Sequence, residues 1–183
     1  MNISQITGVY FSPTGSTKRV TEWITERIAD NREAEWLDLT DAVSSRPDYT
    51  FTEHELMVVG VPVYGGRVPE TARERLQKLH GKRTPAVLIV TYGNRAYEKA
   101  LMELDAFAIP HGLKVIAGAT FIGEHSYSTD KCPIADGRPN ESDLDYAEDF
   151  GKKIMEKIQA AAGSDTLYQV DVRAIKRPSQ PFF

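Results

Sequence analysis

Four hydroxyl side chains crowd into one short turn near the start of the sequence, between an apolar stretch and a helix-like pattern. They are Ser12, Thr14, Ser16 and Thr17, and Gly15 lies among them. The first turn of a helix leaves about four backbone amides unpaired, and the helix dipole places partial positive charge there. Neutral donors at such a place favour a bound anion, and a terminal monophosphate in particular. The alternative is a plain cluster of helix-capping residues, since the glycine patterns of P-loops and dinucleotide turns are both missing.

A second loop with potential ligand contacts follows a buried apolar run, in the segment PVYGGRVPE over 62–70. Its candidate residues are Pro62, Val63, Tyr64, Gly65, Gly66 and Arg67. The tyrosine could lie against a flat ring, and two adjacent glycines can expose their backbone amides. Taken alone, the same residues also describe a tight turn that needs positive φ angles.

A third loop comes after the next apolar run, in the segment TYGNRAYEKA over 91–100. Its candidate residues are Thr91, Tyr92, Gly93, Asn94, Arg95 and Tyr97. A turn of this kind offers main-chain amides to the polar edge of a ring, with aromatic side chains beside it. By itself the segment is equally typical of a turn with surface tyrosines.

Short apolar runs alternate with amphipathic stretches along most of the chain, which is the pattern of a parallel sheet covered by helices on both faces. Strands are predicted at 6–11, 34–39, 55–63, 85–92 and 113–122. Helices are predicted at 17–30, from Pro69 to Gly81, up to about Ile109, and after an N-cap at Asn140 or Ser142. Residues 40–54 are predicted as a loop or a weak turn of helix, and 123–140 as a long polar loop. Residues 1–163 are predicted to form one domain, followed by a tail at 164–183.

The position of the three loops in this predicted sheet brings them together. The carboxyl ends of parallel strands meet at one edge, near the point where the strand order reverses. The loops follow the first, third and fourth strands, so they are predicted to lie side by side at that edge. Independent turns would not be expected to combine phosphate-type donors with two platforms of tyrosine and glycine. A ligand with a phosphate tail and a flat heterocycle accounts for all three.

These motifs resemble those of the flavodoxin-like family, which binds FMN. The family's phosphate loop follows [ST]-x-T-G-x-[ST], and residues 12–17 match every fixed position. The resemblance spans about residues 5–160 and implies a doubly wound, three-layer α/β sandwich with five parallel strands in the order 2-1-3-4-5. It also implies that the phosphate is held by Ser12, Thr14, Gly15, Ser16 and Thr17. Tyr64, Gly65 and Gly66 would flank the isoalloxazine, and residues 91–97 would meet its pyrimidine edge.

The second and third loops look closest to those in the flavodoxin domains of ferredoxin-fused proteins, which carry CxxCxxC cluster motifs. This chain has one cysteine and cannot hold such a cluster, so a redox partner is expected to be a separate ferredoxin or reductase. Arg67 and Arg95 stand where simple flavodoxins are usually acidic. A cation beside the ring favours the anionic reduced flavin, so the resemblance predicts a flavin that is less reducing than in a typical flavodoxin.

Composition argues against several other classes of function. A net charge of −4 with no basic stripe argues against nucleic-acid binding, and no apolar stretch reaches the length of a membrane span. One cysteine fits a reducing, cytoplasmic compartment. Cys132 and Arg138 have the spacing of a cysteine phosphatase loop, but Asp136 would repel a phosphate there. His125 follows the fifth strand and could reach the same rim, although a surface histidine is the more common case.

Three functions are left open by the residues and the resemblance. The leading hypothesis is an FMN-binding electron carrier without catalytic residues or a metal site, in which the flavin does the redox chemistry. The second is an FMN-dependent NAD(P)H:quinone-type oxidoreductase of the same fold, with the loop at 123–140 covering a substrate site. The third is a flavin-free binding module. A homodimer with contacts through the C-terminal tail is compatible with each of them.

Overall fold

The computed structural model describes residues 1–41 and 47–174 of the chain. Within them the strands are β1 (Gln5–Tyr10), β2 (Glu35–Asp38), β3 (Tyr49–Phe51), β4 (Glu55–Pro62), β5 (Leu79–Gly81), β6 (Thr84–Tyr92) and β7 (Leu113–Ile122). The helices are α1 (Ser16–Ala29), α2 (Glu70–Leu76), α3 (Ala100–Ala108) and α4 (Glu141–Ala160), and a 3₁₀ turn spans Val172–Ala174. None of the helices described over these residues is both long and apolar enough to cross a membrane.

Five of the strands form one parallel sheet in the order β2-β1-β4-β6-β7. Counted within this sheet alone, that order is 2-1-3-4-5, which confirms the predicted doubly wound fold. The central register pairs Val9 with Val59 and Val59 with Leu88. The order reverses between β1 and β4, and the ligand crevice of such a sheet lies beyond the carboxyl ends of the strands at that point.

The hydrophobic core lies in two layers, one on each face of the sheet. Strands β4 and β6 are buried along nearly their whole length, which explains why their sequences are continuous apolar runs. Because successive side chains of a strand point to opposite faces, Val58 packs with Ile24 of α1 and Ile154 of α4. Its neighbour Val59 belongs to the layer under α2 and α3, which includes Leu104. The helices on both faces therefore fix the sheet edge where the three loops emerge.

The region around residues 40–54 differs from the predicted loop. Strand β3 pairs in parallel with β5, and the two form a small second sheet. Helix α2 accordingly ends at Leu76 rather than at Gly81, because Leu79 is buried in a strand. Strands of three residues are too short to show an alternating pattern, so an apolar residue at position 79 fits a helix equally well. Residues 42–46 of the predicted loop lie outside the described part of the chain.

The first part of the segment after Gly163 packs onto the sheet. Leu167 is buried in the layer that holds α1 and α4, and Val172 is buried in the opposite layer. The amide of Val170 donates to the carbonyl of Val115 on the edge strand β7 at 3.0 Å. This segment therefore covers part of an exposed sheet edge, which is a common way to prevent edge pairing. Residues 175–183 of the predicted tail lie outside the described part, and the domain boundary at 163 stays a prediction.

Candidate functional site

The three predicted loops meet in one cavity at the carboxyl edge of the sheet. From the predicted set, the cavity is lined by Thr14, Ser16, Thr17, Pro62, Val63, Tyr64, Thr91, Tyr92 and Gly93. A fourth loop, which follows β7, adds Gly123, Glu124, His125 and Ser126. The other predicted residues do not line this cavity: Ser12, Gly15, Gly65, Gly66, Arg67, Asn94, Arg95 and Tyr97 lie in the supporting parts of the loops.

The start of α1 presents several backbone amides that have no acceptor in the described residues. Gly15 is the N-cap with a φ of +87° and has no side chain to accept from the first-turn amides, and no acidic residue stands in that turn. The hydroxyl of Ser12 accepts from the amide of Lys18 in the first turn of α1 at 2.9 Å, and this bond holds the loop against the helix. Within residues 1–41 and 47–174, the amides of Thr14, Ser16 and Thr17 are left without an acceptor. A helix start of this kind is suited to bind an anion.

The first turn of α1 lies unusually close to the sheet. Thr17 is buried, and its methyl group lies 3.2 Å from the place where a Cβ atom on Gly60 would stand. The hydroxyl of Thr21 would come even closer to such an atom; in the structure it donates to the carbonyl of Thr17 at 2.8 Å. Only glycine at position 60 of β4 allows this approach. This role of Gly60 is not visible in the sequence, because position 60 lies inside an apolar run.

The second loop is a two-residue hairpin turn that carries Tyr64 at its base. Tyr64 and Arg67 exchange backbone hydrogen bonds of 3.0 and 3.1 Å. The turn residues Gly65 and Gly66 have φ angles of +58° and +77°, a conformation that glycine adopts at little cost. The ring of Tyr64 is 45% exposed, and partial burial raises the pKa of its hydroxyl. The loop thus holds one accessible aromatic ring beside the open start of α1.

The positive charge of Arg67 is paired with a carboxylate of the same chain. Its guanidinium forms an ion pair with Glu103 on α3, and the same carboxylate accepts from the amide of Val68 at 3.0 Å. Arg95 is exposed. The prediction that a bound flavin is less reducing than in a typical flavodoxin was based on both cations. It therefore now depends mainly on Arg95.

The third loop packs its two tyrosines against each other, and Tyr92, although it lines the cavity, is largely buried. Tyr92 is 6% exposed, and its ring meets that of Tyr97 edge to face with centroids 5.6 Å apart. Tyr97 packs against the core layer under α3, because the helix begins only at Ala100 and the preceding segment folds back. Tyr64 is therefore the most accessible of the three predicted tyrosines. Asn94 turns the chain here with a φ of +59°.

Thr91 supplies a buried polar atom at the centre of the site. The residue is 4% exposed and lines the cavity, and its hydroxyl has no hydrogen-bond partner in the described residues. The neighbouring loops are tied to it, since the amide of Val63 donates to the carbonyl of Thr91 at 2.9 Å. A buried hydroxyl without a partner costs free energy, so this atom indicates a place for a polar ligand group.

The loop after β7 completes the wall of the cavity. A Cβ atom on Gly123 would stand 2.9 Å from Cγ2 of Thr91 and 3.0 Å from Cβ of Ser16, so glycine lets three loops meet there. The ring of His125 covers the backbone of Gly93, and its Nδ1 accepts from the amide of Tyr127 at 3.0 Å. His125 had been recognised as able to reach the rim. Gly123, Glu124 and Ser126 had been missed, although their position after the fifth strand of the sheet would have indicated them.

The far end of the same loop is held by the start of α4. Arg138 forms an ion pair with the buried Asp143, which raises the pKa of the guanidinium through the hydrogen bonds of that pair. Asn140 and Asp143 together cap α4, with hydrogen bonds of 3.1 and 2.8 Å to backbone amides. Arg138 is thus engaged with a carboxylate, while Cys132 lies exposed in a turn paired with Thr129. The turn that holds Cys132 does not lead directly into a helix, since α4 begins only at Glu141, and this agrees with setting aside the phosphatase hypothesis.

A parallel sheet of this order, with a cavity at its switch point and an uncapped helix start beside it, defines the flavodoxin-like class of α/β proteins. A family model described as a flavodoxin domain matches residues 9–127, and the chain belongs to this family. No curated protein matches the chain in sequence.

Solved structures that resemble this one share its fold at low sequence identity. A flavodoxin from the domain Archaea is 18% identical with a TM-score of 0.53, over 85% of this chain and 99% of its own. Oxidised flavodoxin 2 from Bacillus cereus is 14% identical with a TM-score of 0.58, over 84% of this chain and 99% of its own. The apo form of an NADH:FMN oxidoreductase is 14% identical with a TM-score of 0.55, over 90% of this chain and 94% of its own. Identities this low establish the fold alone.

Proposed function

We propose that the protein binds FMN in this cavity and carries electrons for a separate redox protein. The observation that supports it most is the group of polar atoms without partners that the phosphate loop and strand β6 bring to one edge of the sheet. The free amides of Thr14, Ser16 and Thr17 suit a phosphate, and Thr91, whose buried hydroxyl has no partner in the described residues, lines the same cavity. Tyr64 offers an accessible aromatic face to the ring.

The proposal assigns no acid–base step to the cavity residues, although Glu124 and His125 line the cavity beside the predicted set. Bound FMN would supply the redox chemistry, and the chain would hold and orient it. The hydroxyls of Thr14 and Ser16 would add donors to the phosphate, and Gly93 would offer its backbone amide to the ring edge. Tyr64 at the rim, with Tyr127 79% exposed on the fourth loop, leaves the ring end of the cavity accessible to a partner protein such as a ferredoxin or a reductase.

Titration of the apoprotein with FMN tests the proposal directly. We expect quenching of flavin fluorescence with saturation at one equivalent, and riboflavin, which lacks the phosphate, should bind at least tenfold more weakly. Ser16→Ala should weaken FMN and leave riboflavin unchanged. Ser4→Ala removes an exposed hydroxyl that donates to the carbonyl of His54, and it should change neither ligand. Apoprotein that takes up no flavin at high micromolar concentration would overturn the proposal and favour a flavin-free module.

An NAD(P)H-dependent oxidoreductase is the second candidate function. It is favoured by the ordered loop after β7, whose amides at Glu124 and His125 donate to Arg138 and Ile134 at 2.9 and 3.1 Å and fold the loop into a wall. A similar fold occurs in an NADH:FMN oxidoreductase. Steady-state oxidation of NADH or NADPH by the FMN-loaded protein with a quinone separates the two candidates. Turnover that matches free FMN supports the carrier, and saturable turnover well above it supports the oxidoreductase.

A further inference from the structure

A second cavity adjoins the phosphate loop on the side away from the ring. It has a volume of about 400 Å³ and is lined by residues 14–16, Arg19, Glu124 and residues 137–139. This volume falls within the range of small-molecule pockets in proteins. Thr14, Ser16 and Glu124 also line the first cavity, so the two spaces are contiguous across the start of α1. A phosphate held by the α1 amides would therefore lie at the boundary between them.

Two guanidinium groups line this second cavity. Arg19 on the first turns of α1 lies over the ring of Trp23 at 5.1 Å, and its Nη1 donates to the carbonyl of Pro139 at 3.3 Å. Arg138 uses Nε and Nη2 in its ion pair with Asp143. Each guanidinium has five N–H donors, so both retain donors beyond these bonds. FMN, whose phosphate ends at the α1 amides, would leave this space and these donors unused.

Glu124 places one carboxylate beside the two guanidinium groups, which limits the kinds of ligand that suit this cavity. Glu124 lines the cavity and is exposed, and its backbone is fixed by the hydrogen bond to the carbonyl of Arg138. A carboxylate beside a free phosphate dianion would be repelled, whereas it readily accepts hydrogen bonds from ribose hydroxyls. Two guanidiniums and one carboxylate therefore suit a diphosphate followed by a ribose better than an isolated phosphate.

Because the two cavities are contiguous, a diphosphate and ribose in the second cavity would be joined to a flavin in the first. A separate anionic ligand would place its own phosphate against the phosphate of FMN, at a cost in electrostatic repulsion. In a diphosphate the two phosphate groups share a bridging oxygen and carry one charge each, so the repulsion is smaller. We propose, on the basis of the flavin site proposed above, that the cavity of Arg19, Glu124 and Arg138 accepts the diphosphate and ribose of a flavin dinucleotide, and that FAD binds at least as tightly as FMN.

Competitive titrations of the apoprotein with FAD, FMN and riboflavin test this inference. Arg19→Gln should weaken FAD by about tenfold, the effect of losing a charge-assisted hydrogen bond, and should weaken FMN by less. Lys18→Gln is the matched control, because it removes the same charge one residue away. The Lys18 side chain faces Tyr10 and Glu22, away from the cavity. It should lower the affinity for both flavins to the same small extent.

The effect of Glu124→Gln is expected to have opposite signs for the two flavins. Loss of the carboxylate should weaken FAD, which loses an acceptor for its ribose, and should tighten FMN, whose phosphate loses a neighbouring negative charge. Arg19→Lys, which keeps the charge, provides a second variant if the glutamine form does not fold. Tight FMN binding with FAD more than tenfold weaker would overturn the inference and leave the proposed FMN site intact. Equal losses of FAD affinity in the Arg19 and Lys18 variants would also overturn it, and failure of all flavins to bind would instead contradict the flavin site itself.

Discussion

Two helices begin at the same edge of the sheet, and their first turns are built in opposite ways. Helix α4 is capped by Asn140, whose side chain accepts from the amide of Ser142. The carboxylate of Asp143 in turn accepts from the amide of Asn140. Helix α1 starts with Gly15, which has no side chain to cap it, and no acidic residue follows in its first turn. The start of α4 is closed by its own side chains. At the start of α1, Ser12 accepts from the amide of Lys18, but the amides of Ser16 and Thr17 have no acceptor in the described residues.

This difference indicates that the start of α4 contributes to stability and that the start of α1 is suited to binding. Capping satisfies the amides of α4 and, through Asp143 and Arg138, anchors the end of the loop over the site. The uncapped amides of α1 carry a cost in the free protein that a bound anion would remove. At the opposite end of the sheet, helix C-termini are closed as well. Arg32 donates to the carbonyl of Ala29 at 3.0 Å, and the ammonium of Met1 donates to that of Ile158 at 3.1 Å.

The largest expected effect on FMN affinity comes from closing the start of α1 with a carboxylate, as the start of α4 is closed. Ser16→Asp places a carboxylate in the first turn, where it would occupy the free amides and repel a phosphate. We expect FMN to bind at least a hundredfold more weakly, riboflavin to change little, and the free energy of unfolding of the apoprotein to rise by about 0.3–1 kcal/mol. Flavin titration and thermal denaturation measure the two effects.

The matched control for this change is Ser142→Asp, which adds the same charge to the first turn of α4. That start already carries Glu141 and Asp143, so the variant should leave FMN affinity within about twofold of the starting protein. A similar loss of FMN affinity in both variants would mean that net charge rather than the open helix start controls binding.

A second change pushes α1 away from the sheet without altering its charge. Gly60→Ala introduces a Cβ atom against the Thr21 hydroxyl and the Thr17 methyl group. We expect the free energy of unfolding to fall by about 1–3 kcal/mol, as for other overpacked cores, and FMN affinity to fall with it. Chemical denaturation measures the first effect. Gly163→Ala, where no atom lies within 4 Å of the added Cβ, is the control and should be close to neutral.

A third change opens α4 so that it resembles α1. Asn140→Ala removes the capping oxygen, and we expect a loss of about 1 kcal/mol in the free energy of unfolding. FMN affinity should change much less than in Ser16→Asp, because the free amides of α1 are untouched. Asn140→Asp should restore most of the stability, since aspartate also caps helices well. If the alanine variant is as stable as the starting protein, the cap does not serve stability as argued here.

Four of the five strands of the main sheet could be predicted because they are runs of largely apolar residues, and β2 could be predicted from its alternating pattern. The predicted span of β7 matches the observed one, and β4 and β6 differ by a single residue, since burial on both faces leaves a continuous signal. The phosphate loop was equally visible, because its hydroxyls and glycine are adjacent in sequence. Strands β3 and β5 were missed, as three residues cannot establish a period.

The parts of the site that were missed depend on contacts between distant segments. Gly60 and Gly123 look like ordinary residues of a strand and a loop, and their roles appear only when Thr21 and Ser16 are brought against them. The burial of Tyr92 likewise depends on Tyr97 folding back onto it before α3 begins. Local sequence reports residue chemistry and periodicity, but close approach is a property of the packed chain.

The smallest expected effect concerns a carboxylate that, unlike Asp143, lacks a full set of partners. Asp105 on α3 has a buried oxygen without a hydrogen bond, and burial, together with Asp171, raises its pKa, while Arg173 opposes the shift. An acid whose pKa is raised on folding binds protons more tightly in the folded state, so stability from this group falls as pH rises through that pKa. Asp105→Asn should therefore raise the melting temperature by about 1–2 °C at pH 7, with a smaller gain near pH 4. Melting curves across this pH range measure the effect, and a gain that grows toward low pH would contradict the raised pKa of Asp105.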